Sequence, residues 1–271
     1  MHVRTKSFLG ISLLAATLSG CTPSPDPDPV LVEMLQDAQL DAQALADSAP
    51  EVAALRTEHA TEIQAEIERQ CGFDDDGNVP DSCAVALTDI GAAPAADPQS
   101  YILESQSLIL DKLDQIPADS VSLISGQYID QAPFVETESE AQLPADLALT
   151  DAESSVAKEL LEREYAAAWA LGVALAYAPV EQQPAIEIAI SNHQQRASLL
   201  SSTLGEVSDN EFSPGYRSEM PEPTDAPSAL TAVETVQDNA VAAWHAAAAA
   251  ATTDSWRVFC TEMAGATASE I

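Results

Sequence analysis

The sequence predicts an all-α protein: a helical N-terminal region, then a four-helix bundle with a long crossover between its second and third helices. Three observations carry this. Alanine is abundant and glycine scarce, with 10 glycines in 271 residues, a balance that favours helix. Apolar residues recur at helical spacing, and no stretch alternates with period two for long enough to make a strand. In the C-terminal half the links between helical segments run short, long, short. In an antiparallel bundle short links join neighbours and a long link must cross over. A structureless link of that length is uncommon in a compact domain without such a topological reason.

Residues 1–20 form a leader rather than part of the fold. His2, Arg4 and Lys6 precede FLGISLLAATL, an apolar run too short to span a bilayer. The leader ends in LSGC (Leu18, Ser19, Gly20, Cys21), which resembles the lipobox of bacterial lipoproteins. That resemblance implies cleavage before Cys21 and lipidation of its thiol and new amino group. Residues 21–29 then read as a proline- and aspartate-rich tether, extended at about 3 Å per residue and roughly 25 Å long. The expected location is the extracytoplasmic face of the cell membrane, lipid-anchored, since no other segment approaches the apolar length of a membrane helix.

Forty-four Asp and Glu stand against 10 Lys and Arg, and the formal net charge is −34. Such a surface repels nucleic acid and anionic headgroups, so nucleic acid is excluded as a partner. The membrane is reached through the lipid on Cys21, and the sequence names no protein partner. With Cys21 lipidated, three cysteines remain. Cys71 and Cys83 flank CGFDDDGNVPDSC, and a disulfide there would close a short loop worth about 3 kcal/mol in an exported chain. Asp74, Asp76 and Asn78 alternate within it, but the glycine is misplaced for a calcium loop and no glutamate follows at the required distance. Cys260 falls on an apolar face and reads as a buried free thiol.

In the N-terminal region, 30–131, the first helix spans about 30–47, with Leu31, Met34, Leu35, Ala38 and Leu45 on one face. Pro50 opens the second, which runs to Cys71 with Val52, Leu55, His59, Ile63 and Ile67. A third covers about 99–116 and a weaker fourth about 119–131. Residues 132–149, with two prolines and no stripe, read as a linker. In 150–271, Thr150 and Glu153 form a capping box for a helix to about 178. A second helix covers about 183–204 and ends before Gly205. A third starts near Ala226 behind Asp225, and the last starts near 254.

Three segments of this half share the order seen in one protein family: EREYAAAWALGVALAY with Glu164 and Gly172, NHQQR with His193 and Arg196, and AVETVQDNAVAAW with Glu234 and Gln237. A proline-rich crossover containing Tyr216 lies between the last two. Over roughly 150–265 the chain resembles the uncharacterised ferritin-like domains of actinobacterial lipoproteins and secreted proteins. The resemblance implies a four-helix bundle without an assigned activity.

Glu164, His193, Glu234 and Gln237 all read as core-facing. Ferritin-like di-iron sites take a glutamate from each of two helices and a Glu-x-x-His pair from each of the others. On that pattern Glu164 and Glu234 match the single glutamates and His193 the histidine of the second helix. Ile190, however, stands where its paired glutamate should be, and the last helix has no Glu-x-x-His. What remains could hold one transition-metal ion but not two bridged irons. The competing reading is a buried polar network, since an ionised Glu164 in a core must be paired, and Arg196, one turn from His193, is a natural partner. Nothing resembles a nucleophile with its base, a phosphate loop or a redox Cys-x-x-C. The sequence therefore points to an envelope lipoprotein whose bundle is a structural or interaction module, neither catalytic nor cofactor-bound. The alternative is a metal-binding protein or oxidoreductase using the reduced site.

Overall fold

The computed structural model describes residues 25–74, 76–85, 97–135, 147–205 and 221–270. The leader, Cys21, most of the linker and the crossover with Tyr216 lie outside the described residues. Among those described there are eight α-helices, three short 3-10 turns and no strand.

Local signals set most helix ends. Asp28 caps α1 (Pro29–Leu45), its Oδ1 accepting from the amides of Val30 and Leu31. Pro50 opens α2 (Pro50–Cys71), and Gly72, at φ +74°, closes it. Asp97 caps α3 (Pro98–Lys112). That helix stops four residues before the expected end at 116: residues 113–115 form a turn, and Pro117 disfavours a helical backbone at Ile116. α4 spans Val121–Gln131. The Thr150/Glu153 capping box opens α5 (Asp151–Leu175). α6 (Gln183–Leu204) ends at Gly205, in the left-handed conformation. Asp225 and Ser228 box the start of α7 (Ala226–Ala250), and α8 covers Asp254–Ala268.

The first four helices surround one core: α1 neighbours α2 and α3, and α4 neighbours both of those. Leu31, Leu35, Ile63, Ile67, Leu113 and Ile124 fill it. In the second group α5 packs on α6 and α7, and α7 on α8. Glu164 meets His193 of α6 and Trp244 of α7, while Leu171 clusters with Ile186 and Val236. Advancing along α5 therefore means receding along both neighbours, so α6 and α7 run parallel.

The two groups share an interface. α4 lies against α7 and α8, Ile129 and Ala132 join the second core, and Tyr128 packs against both cores. Gly265 makes room for that ring: a Cβ there would stand 2.6 Å from Tyr128 Cε1. Arg257 donates to the carbonyls of Leu113 and Ala251, and His245 Nε2 lies 2.8 Å from the Ser122 carbonyl.

Cys71 and Cys83 form a disulfide, and Cys260 is free and buried. Asp74 Oδ1 accepts from the amides of Asp76 and Asn78, so this carboxylate organises its own loop. The tether is shorter than its sequence implies. The Pro25 carbonyl accepts from Ser82 Oγ at 2.6 Å and lies 3.3 Å from Cys83 Sγ, and Asp28 is occupied as a helix cap. From Pro25 onward the tether is part of the folded body. No described helix is long and apolar enough to cross a membrane.

Candidate functional site

A buried polar network runs through the second bundle. Glu164 sits on α5 among Leu160, Leu161, Ala168 and Leu171, all buried, and is itself 2% exposed. Its Oε2 lies 2.6 Å from His193 Nδ1 and accepts from Arg196 Nε at 3.2 Å. Its Oε1 accepts from Trp244 Nε1 at 2.5 Å. His193 is fully buried, and its Nε2 lies 2.7 Å from Gln237 Oε1. The Gln237 amide donates to Glu270 Oε2 at 3.0 Å, and Arg196 Nη1 donates to Glu270 Oε1 at 2.6 Å. The guanidinium thus bridges glutamates from α5 and from just past the end of α8.

Burial alone would push the Glu164 carboxyl up. The contacts from His193, Arg196 and Trp244 outweigh it and hold the group below its ordinary value. Arg196 is pushed above its ordinary value, because Glu164 and Glu270 outweigh the cost of its burial. The pair is ionised, and every charge in it has a partner.

Glu153 does more than cap α5. One carboxylate oxygen accepts from the amide and hydroxyl of Thr150, within its hydrogen-bonding reach. The other accepts from the amides and hydroxyls of Thr252 and Thr253 in the α7–α8 turn. Burial raises its pKa, but these bonds win and hold it at about 2.

Of the residues expected at the site, Glu164, His193, Arg196 and Gln237 come together. Glu234 does not: it is exposed on α7. The buried face of α7 is carried by Ala229, Val236, Gln237, Ala240, Trp244, Ala247 and Ala248. Its centre lies roughly 100° round the helix from Glu234 at 3.6 residues per turn. That removes one of the three ligands expected for a metal ion. Among the described residues no group of three His, Cys, Asp or Glu side chains could hold one. The remaining donors are committed, since both nitrogens of His193 and both oxygens of Glu164 already face protein partners. The residues present do not fit a metal centre.

A second network, missed from the sequence, lies in the first group of helices. Arg56, 2% exposed, donates to Asp41 Oδ2 at 2.9 Å and to Asp37 Oδ2 at 2.8 Å, and its Nη1 lies 3.3 Å from His59 Nδ1. His59 Nε2 is buried without a hydrogen-bond partner, 3.7 Å from Asp130 Oδ2. Here burial and the neighbouring Asp37 overcome Arg56, and Asp41 is pushed up to about 7. Asp37 is raised as well, by its burial. The available signal was the pair Asp37/Asp41, one turn apart on the stripe of α1, opposite an Arg/His pair one turn apart on α2. Trp244 and Glu270, also missed from the sequence, complete the first network.

A cleft of about 430 Å³ lies between α5 and α7, lined by Leu160, Arg163, Asn239, Ala243 and neighbouring residues. No member of either network lines it.

Fold and site together define a helical bundle organised around a buried ion network. Residues 157–270 match the model of a protein family described as a domain of unknown function (DUF4439). The match starts within α5 and ends at Glu270, the residue that closes the network. No curated protein matches the chain, and no solved structure does.

Proposed function

We propose that the chain is a lipid-anchored protein of the cell envelope, on the extracytoplasmic face of the membrane. Its C-terminal bundle, of ferritin-like type, serves as a non-catalytic structural or interaction module. The observation that carries this reading is the saturation of Glu164 and His193: the polar atoms a ferritin-like site would give to metal are spent on Arg196, Gln237 and Trp244. Arg196 supplies the positive charge that a bound cation would otherwise supply. The parallel course of α6 and α7 supports a ferritin-like path for the chain, and LSGC supports the anchor.

Thermal and urea unfolding of wild type, Glu164→Gln and Glu164→Ala, with and without Fe(II), Mn(II) or Zn(II), tests the reading. Glu164→Ala is expected to cost about 3–5 kcal/mol, because it leaves Arg196 and His193 buried with an unpaired donor face and a cavity. Glu164→Gln, which keeps the shape and one acceptor, is expected to cost less, and no variant should respond to metal. A metal-dependent rise in Tm that vanishes in Glu164→Gln would establish the metal-binding reading instead. For the anchor, Cys21→Ala should abolish lipid labelling and release the protein from membranes.

A further inference from the structure

We propose that the protein stands on the bilayer in a fixed orientation, with the end carrying the disulfide loop against the lipid surface and the α5–α6 turn pointing away. This rests on the anchor reading for Cys21. It follows from where the chain leaves the folded body. Ser82 Oγ donates to the Pro25 carbonyl, which also lies 3.3 Å from Cys83 Sγ, and Cys83 is covalently tied to the end of α2. Only the four residue steps from Cys21 to Pro25 separate the lipidated residue from this clasp, a reach of about 14 Å at full extension. A body held that closely can present only one end to the membrane.

The contacts identify that end. α1 begins beside the clasp, and the end of α3 lies there too, with Lys112 Nζ 3.3 Å from Glu33. Arg257, at the start of α8, holds the Leu113 carbonyl, and Glu153, at the start of α5, binds the α7–α8 turn. The start of α5 is therefore membrane-proximal. Its 25 residues carry the α5–α6 turn roughly 37 Å further out. Phe73, 64% exposed, is the large apolar side chain presented at the proximal end, and Tyr177, Val180 and Ile188 are those exposed around the distal turn.

The test uses the mature chain from Cys21 with a diacylglyceryl thioether attached chemically at Cys21, bound to phosphatidylcholine vesicles that carry a headgroup energy acceptor. A fluorescent amino acid is placed at Asn78 in one preparation and at Val180 in another. Transfer at Asn78 is expected to exceed that at Val180 by roughly fivefold, given the ~37 Å between the two ends. A Gly-Ser insertion of about 12 residues after Cys21 lengthens the free segment by up to ~40 Å and should bring the two signals close to parity. Equal transfer without the insertion, or stronger transfer at Val180, overturns the proposal. Lipid labelling of Cys21 in cells is scored separately. Its absence would sink the anchor reading, while the vesicle result would still decide whether the clasp orients a tethered body.

Discussion

Arg56 and Arg196 are buried arginines on the second helices of two groups of four. Each is 3% exposed or less, each stands one turn from a buried histidine on the second helix of its group, and each bonds at least one carboxylate on the first. Glu164 and Asp41 nevertheless shift in opposite directions. Glu164 is met by His193, Arg196 and Trp244, and the second acid bound by Arg196, Glu270, lies past the end of α8 and also receives the Gln237 amide. Asp37 and Asp41 must share one guanidinium on the same side of α1, with the charge of Glu104 nearby. Burial raises Asp41, the neighbouring Asp37 adds to it, and together they outweigh Arg56, so Asp41 is driven up to about 7. The state of a buried acid is set by the balance of donors around it rather than by the presence of an arginine.

The comparison can be broken by removing each cation. Arg196→Met removes the cation from beside the buried Glu164 carboxylate and should cost about 3–5 kcal/mol. Arg56→Met leaves acids one of which is already drawn toward its neutral form, and about 1–2 kcal/mol is expected at pH 5. Equal losses in urea unfolding would show the two networks to be energetically alike.

The pH dependence sharpens it. Asp41 is raised from 3.8 to about 7 on folding, so the folded state holds its proton more tightly. Its contribution is fully present below pH 3.8 and is lost as pH rises through about 7, at most about 4 kcal/mol. Glu153 is lowered from 4.5 to about 2, so its contribution is present above pH 4.5 and is lost as pH falls through about 2. Hydrogen exchange, corrected for intrinsic rates, should therefore show α1 and α2 opening more readily at pH 8 than at pH 5, with α5 and the α7–α8 turn unchanged. Parallel behaviour of the two groups would contradict the assigned charge states.

The smallest expected effect concerns the seam between the groups. Gly265→Ala drives a methyl into the Tyr128 ring and should cost about 1–3 kcal/mol. Gly172→Ala, where nothing stands within 4 Å of the new carbon, should be neutral or slightly stabilising. A neutral Gly265→Ala would mean that the seam yields without loss.

Helix ends marked by proline, glycine or a capping side chain were legible in the sequence, as at Pro50, Gly205, Thr150 and Asp225. So was Glu164, because leucines at 160, 161 and 171 outline its stripe unambiguously. α7 was misread because alanine marks a buried face weakly: Ala229, Ala240 and Ala247 lie in the core, but their small contrast with exposed alanines let Glu234 pass as core-facing. Asp41 and Arg56 were hidden for a different reason. A charged residue on an apolar stripe declares itself only when its partner is known, and here the partner lies across an interhelical contact.

The seam at Tyr128 also decides how the molecule can be divided. A fragment trimmed to 157–270 would keep every residue that the family model matches, yet it would lack the Thr150 cap and the Glu153 carboxylate that ties α5 to the α7–α8 turn. It would also lose α4, baring the flank of α8 on which Ile129 and Ala132 rest. An exposed greasy strip of that kind drives copies of a polypeptide to stick to one another, so the excised piece should clump in solution while the whole chain stays dispersed. Its natural unit of folding is longer than its unit of sequence similarity.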